Sequence, residues 1–190
     1  MILPIRAYGD TVLRKKAHDI TPDYPGLKEL IDNMFETMYQ AHGIGLAAPQ
    51  IGLDIRLFVI DICPLAEDED YVEIQDELKD FKKVFINAQI VEYSGEPWKF
   101  NEGCLSIPDI REDVSRPETI VIEYYDENFV KHTETFSDIR ARVIQHEYDH
   151  IEGVLFTDKL SALKKKLIKG KLHKITTGEV GVDYKMRFPK

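Results

Sequence analysis

Cysteine is scarce, with two residues in a chain of 190, Cys63 and Cys104. Two thiols cannot build a disulfide scaffold, so they are expected to serve packing, metal binding or catalysis in a reducing compartment. No apolar run approaches the roughly 18 residues that a membrane-spanning helix needs, so no membrane partner is expected. The opening Met1-Ile2-Leu3-Pro4-Ile5-Arg6 has no basic stretch leading into an apolar one. A secretory leader is therefore not expected, and the cytoplasm is the expected location. Basic residues are outnumbered, 25 Lys and Arg against 34 Asp and Glu, for a net charge of −9. That balance disfavours broad nucleic-acid binding, which needs a basic face. Internal repeats, linkers and heptad seams are also missing. What is present is 43% hydrophobic and 10% aromatic residues. That is enough apolar surface for one core, so residues 1–190 read as a single domain.

The charge is unevenly placed. Residues 161–190 carry nine basic and two acidic residues, a local charge of +7, which leaves −16 on residues 1–160. This basic segment reads as a C-terminal helix and tail, either solvated or touching RNA. Residues 66–80 hold eight acidic residues and read as a surface insertion.

Apolar periodicity predicts a helix over 26–41, a Gly, Ala and Pro-rich loop over 42–53 and a buried strand over 55–62. Further strands are predicted over 83–91, 120–126 and 130–136. A helix then runs to Ile151, with Ser137 as N-cap, Asp138 in the first turn and Gly153 as stop. Leu160, Leu163 and Leu167 mark another amphipathic helix, interrupted near Gly170. Strands in mid-chain with helices towards both ends predict an α+β fold with an antiparallel sheet.

His146-Glu147-Tyr148-Asp149-His150 is an HExxH motif on a predicted helix. Residues four apart share a helix face, so both imidazoles reach one metal ion. Glu147 lies beside them, placed to handle the proton of a metal-bound water. Ile139 and Val143 continue the stripe and would keep the site dry. A third ligand would decide the class. A third histidine three residues beyond Gly153 is excluded, because Phe156 stands there. Glu179 is a weaker candidate in a Gly-flanked segment. Cys104, within Glu102-Gly103-Cys104-Leu105-Ser106, is the better one, since Cys plus two His leaves a position open for water. Cys63 reads as a buried, inert thiol at a strand end. Gly43-Ile44-Gly45-Leu46-Ala47-Ala48-Pro49-Gln50 matches a dinucleotide fingerprint only superficially. It follows a helix instead of a strand, so no nucleotide cofactor is expected. It reads better as a loop whose backbone pairs with a peptide-like ligand. Besides a metal-dependent hydrolase, these residues allow a Cys104 nucleophile, a peptidase using Glu179, or a non-catalytic metal module.

These three segments resemble, in order, the three motifs of peptide deformylases. The likeness runs from the N-terminus to about Leu160. It implies an α+β fold in which antiparallel strands pack around the HExxH helix. It implies an enzyme that removes the formyl group from the N-terminal formyl-methionine of nascent polypeptides and releases formate. By the same resemblance Cys104, His146 and His150 hold one divalent metal. Ferrous iron (Fe2+) is the native ion so implied, and Zn2+, Ni2+ or Co2+ can also fill such a site. A metal-bound hydroxide would attack the formyl carbonyl, with Glu147 as general base and acid. Gln50 and the Leu105 N–H would stabilise the oxyanion. Glu102 would pair with an arginine, for which Arg116 is the candidate. Gly45 and Gly103 are expected beside the substrate, and Ile44, Phe100, Ile139 and Val143 around its methionine side chain. Because such substrates emerge from ribosomes, the basic C-terminal segment is a candidate for transient ribosome contact.

Overall fold

The computed structural model describes residues 1–189. Its elements are β1 (Ile5–Arg6), α1 (Leu27–Gln40), β2 (Gly45–Ala47), β3 (Leu57–Asp61), α2 (Gln75–Leu78), β4 (Lys82–Ser94), β5 (Trp98–Cys104), β6 (Ile107–Arg116), β7 (Thr119–Tyr125), β8 (Lys131–Phe136), α3 (Asp138–Ile151), α4 (Ala162–Thr176) and β9 (Met186–Arg187). The central sheet has the order β2-β3-β4-β7-β8, with every neighbour antiparallel.

The unbroken apolar run of β3 requires cover on both faces. Phe58 and Ile60 join Phe85, Ile122 and the α3 residues Ile139 and Ile144 in one core cluster. Leu57 and Val59 join Ile86 and the α1 residues Ile31, Met34 and Met38 in another. The sheet is thus a layer between two helices. Each large apolar side chain so buried contributes about 1.5–3 kcal/mol. A third cluster joins Ile107, Ile110 and Val114 of β6 to Phe156 and to Ile168 and Ile175 of α4.

Several expectations change in detail. The segment 42–53 is not all loop. Its Gly45–Ala47 forms β2, paired with β3, before a 3-10 turn over Ala48–Ile51. The β5–β6 hairpin is an addition to the expected strands. Its inward positions include Glu102, so it lacks clean apolar alternation. At the start of α3 the Ser137 side chain makes no cap bond. Asp138, at φ 55°, accepts from the Arg140 N–H instead (3.0 Å). α4 passes through Gly170 without a break. Its buried residues are Ile168 and Ile175, while Leu163 and Leu167 are 68% and 72% exposed. Of the expected stripe only Leu160, just before the helix, is buried, and the other two face outward because docking against β6 sets the helix face. The eight carboxylates of segment 66–80 are exposed, but Ala66 and Leu78 are buried and Tyr71 and Ile74 pack on the sheet core. No helix among the described residues is long and apolar enough to cross a membrane.

Candidate active site

α3 and the tip of the β5–β6 hairpin meet over the edge strand β2. One helical turn separates His146 from His150, and their ring centroids lie 5.2 Å apart. Cys104 Sγ lies 3.3 Å from His150 Nε2. One donor atom from each of Cys104, His146 and His150 lies within 4.8 Å of the others, close enough to hold one metal ion. A soft thiolate with two imidazoles suits a divalent transition metal. Sequence register explains the convergence. Glu102 and Cys104 are two apart on β5, and between them the pairing slips, with Gly103 alone facing four residues of β6, Pro108 to Arg111. Such a bulge bends the end of a strand. Gly103 also leaves room for Arg111, whose Nη1 would lie 2.8 Å from any added Cβ.

Behind the donors sits a buried charge network. Glu102 is 4% exposed, and Arg116 and Arg142 are 2% exposed each. Glu102 Oε1 accepts from Arg116 Nε at 2.7 Å and from Arg142 Nη1 at 3.0 Å. Its Oε2 accepts from Arg116 Nη2 at 2.9 Å and lies 3.0 Å from His146 Nδ1. Burial opposes charge on Glu102, yet these partners hold its carboxyl well below the usual range. The contact to Nδ1 leaves His146 Nε2 to act as the donor, a common orienting device for metal-ligating histidine. Arg116 Nη1 also donates to Asp149 Oδ2 at 2.7 Å.

Glu147 is buried, and its Oε2 has no hydrogen-bond partner among the described residues. Burial pushes its carboxyl up to about 7. Only glycine fits beside it at position 45, because a Cβ there would overlap the Glu147 carboxyl. Strand β2 can therefore run against α3. Gln50 Oε1 accepts from the Ala47 N–H at 2.9 Å. That bond turns Nε2 towards the hairpin tip, 3.5 Å from Cys104 Sγ and 3.3 Å from Ser106 Oγ.

A cleft of about 910 Å³ opens over these groups. Ile44, Gly45 and Gln50 line it from β2 and its flanks, Phe100, Glu102, Gly103, Cys104 and Leu105 from the hairpin, and Val143, His146 and Glu147 from α3. One residue expected around the substrate lies elsewhere. Ile139 is 2% exposed in the core beneath the cleft, and its side chain packs on the sheet. Arg116 sits behind Glu102 and pairs with it, in the place expected of it. Glu179 is exposed and accepts from Thr177 Oγ1, away from the donor cluster. Sequence reasoning missed Arg142, although it stands four residues before His146 and so shares its helix face. It also missed Gly181 to Tyr184, which line the mouth from the C-terminal tail.

A family model described as polypeptide deformylase matches residues 2–166. The peptide deformylase of Christiangramia forsetii is 65% identical over 190 residues, covering 100% of this chain and 97% of that protein. The peptide deformylase of Flavobacterium johnsoniae is 64% identical over 189 residues, covering 99% and 96%. Among solved structures, a peptide deformylase from Legionella pneumophila superposes with a TM-score of 0.79 at 37% identity, covering 94% of this chain and 98% of that one.

Proposed function

The chain belongs to the polypeptide deformylase family and is a hydrolase, and we propose that it removes the formyl group from the N-terminal formyl-methionine of nascent polypeptides, releasing formate. The carrying observation is the buried Glu147 carboxyl, with a free Oε2, next to three donor atoms within 4.8 Å of one another. Cys104, His146 and His150 are the proposed holders of one divalent ion, with ferrous iron as the native choice and zinc, nickel or cobalt also fitting the donors. When bound, the ion supplies Lewis acidity that makes water nucleophilic near neutral pH.

The remaining steps belong to the protein. Glu147 Oε2 takes the proton of the attacking water and passes it to the departing amine nitrogen, and a carboxyl raised to about 7 is matched to both tasks. Gln50 Nε2 and the Leu105 N–H donate to the formyl oxygen as it gains charge. One such donor is typically worth about 3–4 kcal/mol. Glu102, anchored by Arg116 and Arg142, holds the His146 ring in orientation. Ile44, Phe100 and Val143 offer apolar surface for the methionine side chain, and Gly45 and Gly103 allow close approach of the substrate backbone. The same reading makes residues 1–190 one catalytic domain working in the cytoplasm. Its exposed basic helix α4 is the proposed point of transient contact with the ribosome.

The test is anaerobic formate release from a formyl-Met-Ala peptide by ferrous-loaded protein. Rapid release that a chelator abolishes is expected, with N-acetyl-Met-Ala left uncleaved. Folded, metal-loaded protein that releases no formate would overturn the reading, and release that survives chelation would shift it to a Cys104 nucleophile.

A further inference from the structure

The family match ends at residue 166, yet the chain beyond it returns to the cleft. α4 stops at Thr176, and Gly178 turns the backbone at φ 76°. β9 then pairs in parallel with β1, with Ile5 N–H donating to Lys185 C=O and Ala7 N–H to Arg187 C=O, each at 2.9 Å. This pairing fixes the residue just before it. Tyr184 is half-buried in the same cluster as Leu105, Leu3 and Met186, and its hydroxyl donates to the Leu105 C=O at 2.8 Å. Burial raises the pKa of the phenol, so it remains a donor through the neutral range.

Leu105 and Ser106 form the two-residue turn between β5 and β6. Other bonds hold its far side. The Tyr8 N–H donates to Ser106 C=O at 2.8 Å, and Gln50 Nε2 reaches Ser106 Oγ. On the cleft side, the Leu105 side chain lies where a Cβ on Gly43 would come within 2.8 Å of its Cδ1. The Leu105 carbonyl is the point the tail holds. With Cys104 fixed in the β5–β6 ladder and the carbonyl fixed by the phenol, the torsions of Leu105 and the aim of its N–H are set from both sides. We propose that Tyr184 is a positioning residue that aims the Leu105 N–H at the reacting carbonyl, so that the C-terminal tail completes the active site. The inference rests on the reading of that N–H as an oxyanion donor.

Tyr184→Phe keeps the ring and removes the bond. With formyl-Met-Ala, kcat is expected to fall about tenfold while KM stays within about twofold, because a donor off its aim by more than roughly 10–20° loses part of its transition-state value. Metal content should not change. Phe188→Leu loosens the same tail without touching Leu105, and should lower Tm while leaving kcat in place. An activity-independent arm uses zinc-loaded, 15N-labelled protein, in which the Leu105 and Ser106 amide signals should move in Tyr184→Phe. Unmoved signals overturn the positioning role, whether or not the wild type releases formate. Unchanged kcat in Tyr184→Phe, a rise in KM alone, or equal kcat losses in Tyr184→Phe and Phe188→Leu also overturn it. Moved signals in a protein that releases no formate would leave Tyr184 as the holder of the turn and place the failure in the proposed function.

Discussion

α3 and α4 are near twins in length, 14 and 15 residues, and opposites in what supports them. α3 buries nine residues, among them Arg142, Gln145, Glu147 and His150. Its β-branched, His, Tyr and Asp residues are weak helix formers, so the surrounding protein holds it in place. Arg142 alone donates to Glu102, to Val114 C=O at 3.0 Å and to Trp98 C=O at 2.6 Å. α4 buries only Ile168 and Ile175 and consists mostly of Lys, Leu and Ile. Its N-cap Ser161 accepts from the Lys164 N–H at 3.3 Å, and its lysines lie in solvent except Lys164, which pairs with Glu112 of β6. One helix is imposed by tertiary packing and carries buried charge, which is costly unless fully paired. The other is encoded locally and carries its charge at the surface, where charge costs little. Chemistry that depends on fixed protons and donors belongs on the first kind.

The comparison breaks most visibly at Glu147. Within α3 it is the buried carboxylate whose Oε2 has no partner among the described residues, so its removal strands no cation there. Glu147→Gln is expected to lower kcat by about 10²–10⁴-fold, the usual contribution of a positioned acid–base group. Metal content and Tm should hold. A variant that retains more than a tenth of wild-type kcat would remove Glu147 from its proposed role. Glu102→Gln tests the other buried carboxylate and should do the reverse in emphasis. It leaves the buried Arg142 without its counter-charge and Arg116 with Asp149 alone. The expected loss is about 3–5 kcal/mol of stability, read as unfolding at lower urea. Metal affinity should also weaken, by about 10–100-fold, because His146 loses its orienting acceptor. An unchanged urea midpoint would mean that the network contributes nothing net.

The donor pair on α3 was legible because helical period alone places His146, Glu147 and His150 together. Cys104 was legible as a ligand type, and the pairing of Glu102 with Arg116 came from likeness of motif. What stayed hidden depends on contacts between distant segments. Arg142 is an ordinary arginine until Glu102 and Trp98 are brought to it by a hairpin whose inward face is partly charged. Ile139 sits on the correct helix but one turn too deep, under the sheet. Leu163 and Leu167 obey the spacing of a buried stripe, yet docking on β6 chose Ile168 and Ile175. Tyr184 reaches the site through a pair of two-residue strands, β1 and β9, too short to leave any period in the sequence.

Glycine gives the finest discrimination between the two helices. Gly153, just after α3, has φ 74°, and a Cβ there would lie 2.7 Å from the Arg14 carbonyl oxygen. It ends the helix in a conformation that other residues rarely adopt. Gly170 sits inside α4, and a Cβ there would meet nothing within 4 Å. Its only effect on the folded state is the entropy cost of ordering a flexible residue and the loss of helix propensity. Gly170→Ala should therefore stabilise the protein by about 0.5–1 kcal/mol. For a chain of this size that is a rise of about 1–4 °C in Tm. Formate release should not change, since the position faces solvent and lies outside the cleft. If Tm does not rise, α4 is held by more than local preference, and the contrast between an imposed and a locally encoded helix weakens at its second half.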